Sequence, residues 1–199
     1  MDTEIKQTAA NGAPEPTKLS QELYEWTETI VFALAAVILV FTFIFRTVSV
    51  GGMSMENTLN AGVTDQNQFV DRVLLYEYRY TQPKQGDIVA INSPVVKKGG
   101  IIKRVIAVGG DTVNIDFIRH TVSVNGKVLN EPYIKEPTAV QGDVKFPVTV
   151  PKGHVFVMGD NRDISYDSRY SAVGMIDDRN IIGKAFLRII PLNEIKWLG

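Results

Sequence analysis

Cysteine is absent from this 199-residue chain, which removes disulfides, thiolate metal sites and thiol nucleophiles together. Histidine is scarce. Only His120 and His154 occur, far apart in sequence. Neither stands in a segment arranged for a Ser-His-Asp triad, so both read as ordinary strand or turn residues. An excess of charge of one sign is missing too: 21 basic residues against 22 acidic leave a net charge of −1. No basic field is available for nucleic acid. There are no internal repeats, and the length suits one domain with appendages.

One long apolar run stands out against this background. Ile30 to Phe45 is broken only by Thr42, sixteen residues in all. As a helix it spans about 24 Å, slightly short of a bilayer core of about 30 Å. Tyr24 and Trp26 on one side and Arg46 on the other extend it as interfacial anchors. The run is apolar on every face, unlike a core helix with a single buried stripe. Glu22, Glu25 and Glu28 precede it where a cleavable signal would carry a basic segment, and no small-x-small site follows closely. The expectation is a permanent transmembrane helix over 23–46 after a disordered tail over 1–22. That tail is rich in breakers at Asn11-Gly12-Ala13-Pro14-Glu15-Pro16. Lys18 and Arg46 flank opposite ends, so charge alone leaves the orientation open.

From Val48 onward the pattern is β. Strands are predicted at Asp87–Ile91, Ile101–Val108, Thr121–Val124, Lys127–Leu129, His154–Met158 and Lys184–Ile190. Asn125-Gly126 marks a two-residue hairpin. Residues 116–147 are more polar and contain Pro132, Pro137 and Gly142; they read as a small β excursion. The fold class is mostly β: an N-terminal transmembrane helix, then an all-β domain of barrel type over 47–199.

Lys103 lies inside the apolar strand Ile101–Val108. Alternation puts it on one face with Ile101, Val105 and Ala107, and Arg104 on the other with Ile102 and Ile106. A free lysine, with pKa near 10.4, is neutral in roughly one molecule in 2,500 at pH 7. Burial favours the neutral amine, and a lowering of about three units corresponds to about 4 kcal/mol. A neutral amine is a base. The plainer reading is a structural ion pair or a snorkelling side chain.

Ser54 follows Gly51-Gly52, which suit a tight turn and a close approach by a peptide backbone. Met53 and Met55 flank it, as core residues or as adaptable lining of an apolar cleft. A third segment, Gly159 to Tyr170, is dense in hydrogen-bonding side chains right after an apolar strand. Read as a calcium loop from Asp163, it has Ser168 where glycine is needed and Gly174 where glutamate is needed, so that pattern fails. It remains a solvated loop or a polar support for the lysine strand.

These three segments, in this order, resemble the boxes of the bacterial type I signal peptidases, a family related in fold to LexA-like proteases. Gly52-Met53-Ser54-Met55-Glu56-Asn57-Thr58-Leu59 is similar to the family's Gly-x-Ser-Met-x-Pro-Thr-Leu. Lys103-Arg104-Val105 running to Gly110-Asp111 is similar to its lysine box. Gly159 to Arg162 and Ser165 to Arg169 are similar to its third box, and Gly86-Asp87-Ile88-Val89 matches a further segment. The resemblance covers roughly residues 20–190.

The resemblance implies a membrane-bound serine endopeptidase that removes signal peptides after a small-x-small motif, with Ser54 as nucleophile and Lys103 as general base. It implies that Ser165 orients the lysine amine and that Met55, beside Met53, lines the cleft. Asp160, Arg162, Asp167 and Arg169 become structural supports. No metal or organic cofactor is implied. The expected partners are secreted preproteins and the lipid bilayer, with the translocation machinery a further candidate and nucleic acid excluded. The β domain is expected outside the cytoplasm. Two positions depart from the commonest pattern. Asn57 replaces proline, implying a less rigid turn, and Gly52 offers no hydroxyl, leaving the oxyanion to backbone N–H groups, chiefly that of Ser54. A LexA-like self-cleaving regulator and a non-enzymatic membrane-tethered β domain are the alternatives.

Overall fold

The computed structural model describes residues 17–61, 70–76, 82–92 and 100–198. Most of the tail expected to be disordered lies outside these residues. Helix α1 runs Lys18–Phe43, starting earlier than residue 23 because Thr17 caps it: Ser20 N–H donates to its Oγ1 at 3.4 Å. The stretch Lys18–Thr42 is long and apolar enough to cross a membrane, and Trp26, Phe32, Leu34 and Ile38 on it are all exposed.

The helix stops short of residue 46. Phe45 and Arg46 open strand β1 (Phe45–Ser49), whose partner β2 (Arg72–Tyr76) takes up their backbone groups in the register Phe45↔Tyr76 and Arg46↔Leu75. The Phe45 ring packs 5.6 Å from that of Phe186. Strand pairing and aromatic contact outweigh continued helix here.

The strands that follow are β3 (Ile88–Ile91), β4 (Ile101–Val108), β5 (Thr112–Asp116), β6 (Thr121–Val124), β7 (Lys127–Val128) and β8 (Val148–Thr149). Then come β9 (His154–Met158), β10 (Ile176–Asp177), β11 (Ile181–Ile190) and β12 (Lys196–Trp197). Among the described residues they form two antiparallel sheets. The larger has the order β1-β2-β11-β3-β4-β9-β10, with β12 beside β11; the smaller has the order β7-β6-β5-β8. The smaller sheet is the expected excursion, though it begins earlier, at Thr112. Asn125 (φ 52°) and Gly126 (φ 78°) make its hairpin turn in the left-handed conformation that this pair favours.

Three apolar clusters fill the domain. Val50, Met55, Leu59, Val73, Leu75, Ile88 and Ile102 form the one beneath the turn that carries Ser54. Ile106, Val113, Val122, Phe156 and Met158 join the two sheets, and Val89, Val105, Val155 and Val157 form the third. Strand β4 contributes to all three and is covered on both faces. A bulge between Val105 and Ala107 against β9 breaks the alternation. Ala107 therefore packs with Ile106 in the second cluster, not on the face of Lys103 as simple period-two counting predicts.

Candidate active site

The turn carrying Ser54 is held from both ends. β1 delivers the chain to Val50, whose N–H donates to the Asp71 carbonyl at 2.9 Å. One short 3-10 turn, Met53–Met55, follows. Met55 and Leu59 then drop into the first cluster, each only 1 % exposed. Between these pins the Ser54 carbonyl accepts the N–H of Asn161 at 3.0 Å. Thr58 Oγ1 donates to Asp160 at 2.6 Å, and Glu56 accepts from Asn161 Nδ2 at 3.2 Å. Asn57 Nδ2 donates to the Tyr133 carbonyl at 3.0 Å.

Lys103 reaches this turn from the middle of β4. It is 3 % exposed, and its Nζ lies 2.5 Å from Ser54 Oγ. Burial pulls its pKa from 10.5 down to about 8. The charges of Asp167 and Asp160 oppose that shift and the charge of Arg169 adds to it. Each of those carboxylates is already bound to an arginine, which weakens its hold on the lysine proton. Asp160 takes Arg104 Nε at 2.8 Å and Nη2 at 2.7 Å. Asp167 takes Arg169 Nε at 2.9 Å and Nη2 at 3.0 Å. With a pKa of about 8, about a tenth of the lysines are neutral at pH 7.

A cleft of about 410 Å³ opens beside the pair, lined by Val48, Ser49, Val50, Gly51, Gly52, Ser54, Met55, Gly100, Ile101, Ile102 and Lys103. Two strand edges border it. Among the described residues β1 is the last strand of its sheet. The first half of β4, Ile101–Lys103, pairs with β3 but lies beyond the last rung with β9, Arg104↔Met158. An extended peptide can pair with such edges.

A serine hydroxyl, a buried amine of lowered pKa and a cleft bordered by strand edges suit a peptide-bond hydrolase. The description "Signal peptidase, peptidase S26" matches residues 23–190 of this chain. The chain belongs to the signal peptidase family, peptidase S26. It is 37 % identical to a signal peptidase I of Bacillus licheniformis over 186 residues, covering 90 % of this chain and 95 % of that protein. It is 36 % identical to signal peptidase I T of Bacillus subtilis over 200 residues, covering 98 % of each. The crystal structure of a signal peptidase I from Enterococcus faecalis aligns with a TM-score of 0.42 at 30 % identity, covering 52 % of this chain and 96 % of that one. The activity is that of a type I signal peptidase, a serine endopeptidase.

In this peptidase the remaining expected site residues lie as follows. Asp160, Arg162, Asp167 and Arg169 are fully buried. Arg162 Nε donates to the Gly159 carbonyl at 2.9 Å, and its Nη1 to Thr138 at 2.6 Å. Glu131 pairs with it from the excursion at 2.5 Å. Asp167 also accepts the N–H of Gly159 at 3.0 Å.

Ser165 differs from expectation. Its Oγ is buried and has no hydrogen-bond partner, so the bond to the lysine amine is not made while Nζ faces Ser54. Met55 does border the cleft, but as a buried core residue. Met53 is 45 % exposed and is not among the residues lining the cleft. Gly52 has an extended backbone, φ −163°, and a Cβ at either Gly51 or Gly52 would meet nothing. The turn does not demand glycine there; the open space belongs to the cleft.

Sequence reasoning missed three contributors. A Cβ on Gly159 would collide with the Ser54 carbonyl and with Ser165, so this glycine lets the two segments close on each other. Glu131 neutralises Arg162. Tyr133 lies under Arg104, with the guanidinium carbon 3.9 Å from its ring centroid. Gly159 at least opens the third box, where a signal for it exists. Glu131 and Tyr133 carry no local signal, since their partners are distant in sequence.

Proposed function

We propose that this peptidase removes signal peptides from secreted preproteins with Ser54 as nucleophile and Lys103 as general base. The observation that carries this reading is the 2.5 Å approach of a buried lysine amine, with pKa about 8, to a serine hydroxyl beside an open cleft. The cleavage segment adds as a strand between β1 and the first half of β4, with small side chains before the scissile bond directed at the apolar floor. Neutral Lys103 takes the Ser54 proton while Oγ attacks the scissile carbonyl carbon. The Ser54 N–H donates to the resulting oxyanion; one such donor is worth about 3–4 kcal/mol elsewhere. The tetrahedral intermediate collapses to the acyl-enzyme as the Lys103 ammonium protonates the leaving amine. Lys103, neutral again, takes a proton from water, and the hydroxide adds to the ester. Ser54 leaves with that proton and frees the signal peptide.

Once Ser54 is acylated, its Oγ has no proton to share with the amine. The unpartnered hydroxyl of Ser165 is then the group that receives and orients it. Asp160, Arg162, Asp167 and Arg169 hold the strands and take no proton. The helix α1 anchors the chain in the bilayer with its N-terminus cytoplasmic and the β domain outside. There the substrate, itself held in the membrane, meets the enzyme at raised effective concentration.

The test is cleavage of a preprotein carrying a small-x-small site by detergent-solubilised protein, with the product's new N-terminus read by mass spectrometry. Wild type should cut after the small residue, and Ser54→Ala and Lys103→Ala should not. Normal cleavage by either folded variant would remove its assignment.

A further inference from the structure

Asn57 stands three residues after Ser54 with a backbone φ of 90°. Proline, held near −65°, cannot take that conformation; asparagine accepts it more readily than most residues. The side chain uses the position. Its Nδ2 donates to the carbonyls of both Tyr133 (3.0 Å) and Ile134 (3.2 Å), which takes the two hydrogens of one amide.

The segment it grips is tied to the base. The Tyr133 ring supports Arg104, the residue after Lys103 on β4, and its hydroxyl donates to Glu131 at 3.0 Å. Lys135 N–H donates to the Asp160 carbonyl at 2.9 Å, and its Nζ pairs with Glu56 at 3.0 Å. Residues 131–135 thus form a strap. One side lies on the strand of the lysine and the other on the turn of the serine. Asn57 itself is exposed and lies outside the cleft lining.

We propose that Asn57 is a positioning residue for peptide-bond hydrolysis: its amide fastens the Ser54 turn to the Tyr133–Ile134 backbone and so keeps Oγ within reach of Lys103 Nζ. The proposal rests on the assignment of Ser54 and Lys103 above. Losing proline at this position then does not loosen the turn, because a long-range clamp replaces local stiffness.

The test uses full-length protein in detergent and the small-x-small preprotein. Asn57→Gly keeps the left-handed backbone, which glycine adopts more easily still, and deletes only the amide. Its kcat should fall about three- to tenfold, with KM within about twofold and the pH midpoint of kcat unchanged. Asn57→Asp keeps the volume and the backbone tolerance but turns an acceptor towards two carbonyls. It should lose at least as much, and it decides the question if the glycine variant unfolds. A purely conformational role predicts Asn57→Gly at or above the wild-type rate; that result overturns the proposal, as does a loss confined to KM. Ser54→Ala and Lys103→Ala are assayed alongside. If either cleaves normally, the catalytic assignment falls and the proposal with it. If both are dead while Asn57→Gly is normal, only the positioning role falls.

Discussion

At the scale of the residue, Lys103 is held against its own solvation preference. Its folded pKa of about 8 lies below the unfolded value of 10.5. The folded protein therefore carries a penalty of about 3 kcal/mol at all pH values below about 8, and the penalty is relieved as pH rises from about 8 to 10.5. Two outcomes follow from that sign. The kcat/KM for cleavage should climb with pH and reach half its plateau near 8, since the proposed base works only when neutral; a profile flat from pH 6 to 9 would contradict it. Lys103→Met should abolish turnover yet raise stability by up to about 3 kcal/mol at pH 7, read by urea denaturation, because an apolar chain of similar length suits the site better. Gly159 is constrained the opposite way. Gly159→Ala must push the Ser54 carbonyl and Ser165 apart, and overpacking of this kind costs about 1–3 kcal/mol. Its kcat should drop with its melting temperature.

At the scale of the element, the segment after β9 braces the site with two buried arginines, Arg162 and Arg169. Arg169 binds Asp167 and donates to the carbonyls of Val140, Arg162 and Ser165. Removing one partner of such a buried pair leaves an unpaired charge and costs about 3–5 kcal/mol. Arg169→Met should therefore unfold at much lower urea than wild type, while Arg179→Met, at an exposed pair with Asp177, should change little. The strands themselves are legible in the sequence. Ile101–Val108 and His154–Met158 are apolar runs bounded by turn residues, and Asn125-Gly126 fixes its hairpin through local backbone preference alone. The end of the helix is not legible in the same way. Phe45 is as apolar as its predecessors, and only the presence of β2 and Phe186 turns it into a strand residue.

At the scale of the whole molecule, the chain divides into residues 1–40 and a β unit from Phe41 to Gly199. A chain lacking residues 1–40 should keep its melting temperature within a few degrees and cleave a soluble peptide at the wild-type kcat. It should lose advantage only on membrane-held preproteins, where anchoring supplies effective concentration. Because the chain has no cysteine, orientation is open to a clean measurement. Ile118→Cys, at a 91 % exposed position, should react with an impermeant maleimide added to intact cells. Lys18→Cys should react only after lysis; the reverse pattern would invert the proposed topology.

Composition and pattern by themselves determined the apolar helix, the β domain and the main strands, and singled out Ser54 and Lys103, whose proposed roles rest on the family resemblance. Each of these is written in neighbouring residues: an unbroken apolar run, alternation and turn chemistry, a lysine where no charge is comfortable, a serine framed by glycine and methionine. Tertiary structure alone decided that Ser54 and Lys103 meet, that Met55 serves the core, and that the glycines before Ser54 face open space. It alone decided that Ser165 stands unpartnered and that Asn57 grips a strap about 76 residues away in the chain. Such contacts join segments with no sequence relation to each other. Their energy depends on distance and burial, which exist only once the sheets have closed.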